Sequence, residues 1–424
     1  MLTENELIKF RRELHSYPET GWCEFVTTHK IVEKLRSFGL DPIYGRQVIN
    51  PEFVAGRNPA KVEEAKKAAL DKGVPPEFIE SMQDYTGVAA IFETGRPGPV
   101  LAIRFDMDCV DVDEAHEAGH RPFDEGWAST NPGHMHSCGH DGHSAMLLAA
   151  AAHLAQTRRF RGTVHFVFQP AEENLGGARK MVEEGLFARF PMDAIYALHN
   201  WPGMPLGQVA IGSGAMMASL DAFEITLTGK SCHAAMPERG ADPIVAAAQL
   251  IMALQTIPSR RLSPQESTVV SITQISGGEA INVLPDKVVL RGTFRCLNNQ
   301  VRERVRGLIE SYVAAQPQVS DVEGKIAWYP GYPVTTNHPA EAQKVREVAI
   351  ALLGESAVSW NGNPSMASED FACMLEACPG AYFWIGTDGE TASKPLHNAG
   401  YDFNDALIPH GVALWTALVE KLLA

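Results

Sequence analysis

The sequence predicts an α/β fold in which a layered main domain is interrupted by a smaller, inserted α+β domain. Apolar strand-like segments alternate with helical segments through the first half of the chain, which is typical of an α/β core. After Ser219 the strands alternate polar and apolar residues, as in a half-exposed sheet. A length of 424 residues also favours two domains over one.

The main domain is predicted from helical spacing of apolar residues and from short apolar runs bounded by turn residues. Pro18 ends the first helix and Gly39 ends the second. A polar stretch with two exposed helices is interpreted as an insertion on the compact core. In order, the elements are helices over 4–16 and 24–38, an insertion over 46–86, strands at 88–92 and 99–105, a helix after His143, a strand at 162–169, a helix at 176–185 and a strand at 194–199.

The inserted domain is predicted as a small sheet with two helices, and α/β character returns after it. The first part of the main domain is set at 1–216, the inserted domain at 217–328 and the second part of the main domain at 329–424. The strands of the inserted domain are 223–229, 268–275, 287–295 and 324–329, and its helices are 242–257 and 298–315.

Composition and charge exclude several classes of function. The formal net charge of −15 does not indicate the basic patch that a nucleic-acid-binding protein needs. No apolar run approaches the length of a membrane span, and the residues after Met1 lack the basic and apolar regions of a secretory signal. The seven cysteines are scattered and odd in number, which favours reduced thiols in the cytoplasm over a disulfide framework.

The densest chemistry lies in the nine residues 135–143, which read Met-His-Ser-Cys-Gly-His-Asp-Gly-His. Three imidazoles, one thiol and one carboxylate share this run with two glycines. Imidazole and thiolate are preferred ligands of Zn²⁺ and related ions, and glycine lets the backbone fold tightly around an ion. The run therefore predicts a metal site.

Ionisable residues also follow three predicted strands. Asp106 and Asp108 follow the strand at 99–105, Glu172 and Glu173 follow the next strand, and His199 ends the third. Open α/β sheets build their sites outside the carboxyl ends of strands. Adjacent residues that leave a strand point in different directions, so one glutamate can bind a metal while the other stays free as a general base. The alternatives are that the aspartates cap loops and the glutamates cap the following helix.

Two further histidines stand alone in the sequence. His397 lies in a polar turn, and His233 follows a strand of the inserted domain. Taken alone, each is compatible with a surface histidine that binds nothing.

An ordered series of motifs comprises the run 135–143, Gln169–Glu173, His199-Asn200, Gly229–Ala235, Asn282–Asp286, Ser368–Phe371 and His397-Asn398. Together these motifs resemble those of the metal-dependent aminoacylase and carboxypeptidase G superfamily. The branch is that of bacterial N-acyl-amino-acid amidohydrolases, hippurate hydrolases and plant auxin-conjugate hydrolases. The segments 45–50 and 120–129 resemble the p-aminobenzoyl-glutamate hydrolase subgroup.

The resemblance implies that the main domain is a mixed-sheet, metallo-aminopeptidase-like catalytic domain and that the inserted domain is a dimerisation or lid domain. It implies two divalent metal ions per subunit, Mn²⁺ or Zn²⁺, bridged by Cys138. The other polar residues of the nine-residue run are expected to orient the ligands. The remaining implied ligands are His140, Glu173, His199 and His397, and Glu172 is the implied unligated base.

The inserted domain is implied to form a homodimer and to supply part of the substrate site. His233 would enter the active site of the other protomer and stabilise the oxyanion there. Asn282 and Arg295 would hold the substrate carboxylate. Glu238 and Asn174 depart from the family pattern, in which a histidine and a glycine are common, so the identity of the substrate is left open.

The predicted function is hydrolysis of the amide bond of an N-acyl or N-aroyl amino acid, such as a p-aminobenzoyl-glutamate-like or hippurate-like substrate. A metal-bound hydroxide would attack, with Glu172 as general base. The expected partner is a small molecule that carries a carboxylate, and neither nucleic acid nor membrane is expected. Two alternatives stay open: hydrolytic removal of an amino group from an activated aromatic amine at the same site, and a non-catalytic binding relative.

Overall fold

The chain forms two compact units in the computed structural model. The first unit comprises Met1–Gly214, Thr336–Asn363 and Asp370–Ala424, and the second comprises Ala215–Thr335 and Pro364–Glu369. Each unit contains both helices and strands, and the predicted α/β fold class is confirmed. The residues that the structure describes are 2–52, 54–174, 176–390 and 392–424.

The strands follow the predicted alternation, with short additional strands that the sequence did not indicate. In chain order they are β1 (Ile43–Tyr44), β2 (Val88–Glu93), β3 (Val100–Asp106), β4 (Thr163–Gln169), β5 (Ala194–Pro205), β6 (Val209–Ile211), β7 (Gly214–Met217), β8 (Leu220–Thr228), β9 (Cys232–His233), β10 (Thr268–Ser276), β11 (Val283–Leu284), β12 (Lys287–Cys296), β13 (Glu323–Tyr332), β14 (Thr335–Asn337), β15 (Val358–Trp360) and β16 (Gly380–Asp388).

The first helix begins at a capping group, Thr3, which forms a capping box with Glu6. None of the helices in the described part of the chain combines the length and the apolar character needed to cross a membrane. The helices are α1 (Glu4–His15), α2 (Phe25–Ser37), α3 (Pro59–Asp71), α4 (Pro76–Met82), α5 (Arg121–Asp124), α6 (His140–Thr157), α7 (Gly177–Glu183), α8 (Leu186–Arg189), α9 (Pro243–Leu254), α10 (Asn299–Ala314), α11 (Gln316–Ser320), α12 (Pro339–Leu353), α13 (Ala372–Ala377) and α14 (Leu407–Leu422).

The first unit is built on an eight-stranded mixed sheet in the order β1-β2-β4-β3-β5-β16-β6-β15. Strands β4, β3, β5 and β16 run parallel to one another, while β2 and β6 pair antiparallel with this central group. The central strands are buried on both faces, as parallel strands usually are. The carboxyl ends of β4, β3 and β5 therefore meet at one edge, as predicted.

Helix α6 is buried and packs against α1 and α14 of the same unit. Small residues permit the close approach. A Cβ atom at Gly142 would lie 2.3 Å from the ring of Phe403, and one at Gly411 would lie 2.0 Å from Met146 Sδ. These contacts fix the first turns of α6, where the nine-residue run ends.

The second unit contains an antiparallel sheet in the order β10-β12-β8-β13. Helices α9 and α10 pack against it and share a core with its buried side chains. Phe223, Ile225 and Leu227 of β8 are fully buried, whereas the residues between them are partly exposed. The period-two alternation in the sequence predicted this face correctly.

A buried charge network joins α1 to the start of α6. Asp141 Oδ2 lies 3.0 Å from both Arg11 Nη1 and His15 Nδ1, and His15 Nε2 lies 3.0 Å from Glu114 Oε1. All four side chains are fully buried. Burial lowers the pKa of His15, but its hydrogen bonds to Asp141 and Glu114 outweigh this effect and raise the pKa to about 9.

We expect His15→Gln to make stability less dependent on pH. The folded pKa of His15, about 9, lies above the ordinary value of 6.5. The imidazolium therefore stabilises the fold fully below pH 6.5, and this contribution is lost as the pH rises through 9. The free energy of unfolding of wild type minus that of the variant should fall by up to about 3 kcal/mol over this window in urea titrations.

His116→Gln, which changes an exposed histidine of the same unit, serves as the control and should leave the pH profile unchanged. A difference between wild type and His15→Gln that stays constant across the window would show that His15 is not held as a cation.

Candidate metal centre

The ionisable residues of the predicted metal site lie at three strand ends and at the start of one helix. Asp106 ends β3, Glu172 and Glu173 follow β4, and His199 lies on β5. The nine-residue run leads into α6, whose first residue is His140. Because β4, β3 and β5 are adjacent and parallel, these residues converge at one edge of the sheet.

Backbone carbonyl groups hold the rings of His140 and His199. His140 Nδ1 lies 3.0 Å from the Asp108 carbonyl oxygen, and His199 Nδ1 lies 2.7 Å from the Asn200 carbonyl oxygen. A carbonyl oxygen can only accept, so each Nδ1 carries a proton, and Nε2 is the nitrogen that presents a lone pair when the ring is neutral. This is the tautomer that a metal ligand needs when it binds through Nε2.

Five side chains of ligand type lie in a connected set. Cys138 Sγ lies 3.4 Å from His199 Nε2, and Glu173 Oε1 lies 4.0 Å from His140 Nε2 and 3.1 Å from His397 Nε2. The ligand atoms of Cys138, His140 and Glu173 lie within 4.8 Å of one another. The structure thus brings together all five residues that the resemblance names as ligands.

His397 enters this set from a loop near the C-terminus. The backbone N–H of His397 donates to the Ser137 carbonyl oxygen at 2.9 Å, which ties the loop to the nine-residue run. Its φ of +61° is unusual for a residue with a side chain and marks a conformation that the surroundings fix. The contact explains how a histidine so distant in sequence reaches the site.

Buried negative groups dominate the electrostatics of the cluster. Burial lowers the pKa of His140, but the nearby Asp106 and Asp108 outweigh this effect and raise it to about 10. Burial raises the pKa of the Cys138 thiol well above its ordinary value, and Glu173 and Glu172 act in the same direction. In both cases the neighbouring carboxylates shift the pKa in the direction expected of buried negative charge, which a divalent cation would offset.

Two ligand atoms test whether the residues fit a metal. Among the described residues, the buried His140 Nε2 has no hydrogen-bond partner, and the buried Glu173 Oε1 has none besides its contact with His397 Nε2 at 3.1 Å. Buried polar atoms are seldom left in that state. A thiol, imidazoles and a carboxylate also form a donor set that suits divalent transition ions. The residues present therefore fit the implied metal centre.

A second group of ligand-type residues, Asp106, His143 and His199, also includes His140. His143 Nδ1 lies 2.6 Å from Asp106 Oδ1, and His143 Nε2 accepts the N–H of Asn200 at 3.2 Å. Both ring nitrogens of His143 are thus engaged, which leaves it no lone pair for an ion. We therefore favour the cluster around Cys138, with His143 supporting Asp106.

Asp108 and Glu172 flank this cluster. The Asp108 carboxylate accepts the N–H of Glu173 at 2.9 Å and lies 3.3 Å from His140 Nδ1. Glu172 is buried, and within the described ranges it falls outside the ligand atoms grouped around Cys138. A carboxylate beside a metal site, but separate from its ligands, can act as a general base.

The other predicted site residues lie in the second unit. His233 on β9 pairs with Val283 of β11, and beside this pair the N–H of Ala234 donates to the Asn282 carbonyl oxygen at 3.0 Å. His233 and Asn282 are both exposed. Arg295 lies on β12, its Nη1 donates to Ser368 Oγ at 2.9 Å, and burial lowers its pKa.

Sequence reasoning missed the role of Arg104 in β3. Its guanidinium nitrogens lie 3.0 Å from Asp106 Oδ2 and 3.0 Å from Asp370 Oδ1, and its Nε donates to Gln169 Oε1 at 2.7 Å. The network ties the ends of β3 and β4 together. An arginine inside an otherwise apolar strand was the available signal.

Comparisons of sequence agree with this arrangement. The family model described as peptidase family M20/M25/M40 matches residues 102–421. Hippurate hydrolase of Campylobacter jejuni is 34% identical over 420 residues, which cover 99% of this chain and 97% of that protein. A p-aminobenzoyl-glutamate hydrolase homolog of Haemophilus influenzae is 33% identical over 437 residues, which cover 99% of each.

Solved structures give the same result. A dinuclear metal-binding peptidase of the M20 family from Bacillus subtilis matches with a TM-score of 0.77 and 29% identity, covering 99% of this chain and 98% of that one. The aminobenzoyl-glutamate utilization protein of Klebsiella pneumoniae matches with a TM-score of 0.74 and 25% identity, covering 98% and 95%. The predicted resemblance is confirmed, and this chain belongs to peptidase family M20/M25/M40.

Proposed function

We propose that the protein hydrolyses the amide bond of an N-acyl or N-aroyl amino acid and releases the free amino acid. The observation that carries the proposal is the buried cluster of five ligand-type side chains with the separate carboxylate of Glu172 beside it. The names of similar proteins support the class of substrate. They include hippurate hydrolase, an N-acetyl-L-cysteine deacetylase from Bacillus subtilis and an indole-3-acetyl-aspartic acid hydrolase from Enterobacter agglomerans.

In this proposal Cys138, His140, Glu173, His199 and His397 would hold two divalent ions. When bound, such ions supply Lewis acidity, which makes water more acidic and polarises the scissile carbonyl. Imidazole suits Zn²⁺ and several other transition ions, whereas carboxylate also suits Mn²⁺ and the thiolate favours the softer Zn²⁺. The site is therefore expected to accept Zn²⁺ or Mn²⁺.

Glu172 moves the proton in the proposed reaction. Its carboxylate accepts a proton from the attacking water and then delivers that proton to the leaving amine nitrogen, so the base is regenerated in each turnover. Asn282 and Arg295 are proposed to hold the substrate carboxylate. His233, supplied by the other protomer, is proposed to donate a hydrogen bond to the developing oxyanion.

We also propose that the protein is a homodimer formed through the second unit. Strand β10 lies at the edge of its sheet and exposes Val269 and Ile275, and helix α9 exposes Val245 and Met252. Exposed apolar side chains beside an open strand edge are typical of an interface.

All seven cysteines are free thiols, which supports our proposal of a reducing, cytoplasmic location.

The central test is turnover with the metal-loaded protein. We expect release of free amino acid from a panel of N-acyl and N-aroyl amino acids. Glu172→Gln should keep its metal and lose about 10²–10⁴-fold in kcat, because a general base is removed and no ligand is. Glu173→Gln is the matched control on the neighbouring residue, and it should lose metal.

Three results would count against this account. Ammonia released from aromatic amines, with no amide cleavage, would favour deamination. No turnover on any substrate would favour a binding protein. Near-normal turnover by Glu172→Gln would remove that residue from the role of base.

The dimer is tested by sedimentation equilibrium. We expect the wild-type protein to sediment as a dimer and Ile275→Asp to shift it toward the monomer, because a charge would be buried at the interface. Val319→Asp, at another exposed apolar position of the second unit, should leave the dimer intact. A wild-type protein that sediments as a monomer would contradict the proposal.

A further inference from the structure

The glutamate pair follows a residue with an unusual backbone conformation. Ala171 is fully buried and has a φ of +52°, in the left-handed region that residues with a Cβ atom seldom adopt. Its carbonyl oxygen accepts the N–H of Gly177 at 3.2 Å, at the start of α7. Such conformations persist only where the surrounding structure fixes them, and they cluster at functional sites.

The N–H group of Ala171 is held by a carboxyl group from a distant part of the chain. It donates to Glu24 Oε1 at 2.8 Å, and the hydroxyl of Thr86 donates to Glu24 Oε2 at 2.5 Å. Glu24 is fully buried and immediately precedes α2, whose packing fixes its backbone. The acceptor that meets Ala171 is therefore rigid.

Gly21, just before Glu24, contacts the same turn at a second place. A Cβ atom at Gly21 would lie 2.8 Å from Ala171 Cα and 2.9 Å from Asn174 Cβ. Asn174 Nδ2 also donates to the Gly21 carbonyl oxygen at 3.2 Å. The segment from Gly21 to Glu24 thus contacts the turn at both of the turn's ends, Ala171 and Asn174.

We infer that Glu24 is a positioning residue that holds the turn of residues 171–174 in its left-handed conformation, and so sets the directions of the Glu172 and Glu173 carboxylates. The left-handed residue redirects the chain immediately before the pair, which lets Glu173 enter the ligand cluster while Glu172 stays outside it. The inference rests on the proposed function for the role of Glu172. It has an independent consequence for metal binding through Glu173.

The test compares Glu24→Ala with Glu24→Gln. A glutamine oxygen can still accept the N–H of Ala171, so Glu24→Gln should keep turnover and metal affinity within about threefold of wild type. Glu24→Ala should lower kcat by about 100-fold, because the displaced Glu172 carboxylate no longer lies in position to accept the proton of the attacking water. It should also weaken metal affinity about tenfold in chelator competition, while KM changes by less than about twofold.

Two further variants make the test decisive. Thr86→Val removes only the second hydrogen bond to Glu24 and should lower kcat in the same direction by a smaller factor, so it replaces Glu24→Ala if that variant does not fold. Glu341→Ala is the control. It removes another buried carboxylate of the first unit, which accepts a hydrogen bond from the Tyr196 hydroxyl, and it should leave metal affinity unchanged.

Folded Glu24→Ala with wild-type kcat and metal affinity would overturn the inference, as would Glu24→Gln that is as impaired as Glu24→Ala. If the wild-type protein shows no amide hydrolysis, the proposed function fails. The metal-affinity measurements then still decide whether Glu24 positions the turn.

Discussion

Asp108 links two parts of the proposed metal centre, and the geometry of two proposed ligands, His140 and Glu173, depends on it. Its main-chain oxygen holds the ring of His140, and its carboxylate holds the N–H of Glu173. One residue therefore sets the tautomer of one ligand and the backbone position of another. Asp108 is fully buried, and desolvation raises its pKa. Such a carboxylate is stabilised by nearby positive charge, which divalent ions held by His140 and Glu173 would supply.

Two buried arginines pair with aspartates around this centre. Arg104 binds Asp106 and Asp370 behind the strand ends, and Arg11 binds Asp141 next to the proposed ligand His140. Removing one partner of a buried pair usually costs more than the pair contributes, because the other charge is left unpaired. These pairs therefore make the strand ends and the first turn of α6 a rigid support for the ligands.

Much of the fold and part of the site could be predicted from local patterns. The alternation of strands and helices and the buried face of β8 were predicted from periodicity. Cys138 and His140 stand out because they share one short run. His397 could be assigned only through the family resemblance, since its contact with Ser137 is formed by tertiary folding. The short strands β6 and β15 were missed because segments of three residues carry little periodic signal.

Other features could not be predicted because they depend on distant pairings. Glu24 and Ala171 lie far apart in sequence, and neither residue type indicates the hydrogen bond that joins them. The engagement of both nitrogens of His143 is likewise visible only in three dimensions. In the sequence alone, His143 and His140 are equivalent candidates for a ligand. The hydrogen bonds of their rings separate the two roles.

The central claim is that Cys138, His140, Glu173, His199 and His397 hold two divalent ions. Metal content per folded chain, measured by mass spectrometry after dialysis against Zn²⁺ or Mn²⁺, tests it most directly. The account predicts about two ions per wild-type chain and a clear loss in Cys138→Ala, because a proposed ligand is removed. A wild-type chain that retains fewer than about one ion after metal is supplied, or a Cys138→Ala variant that retains both, would contradict it.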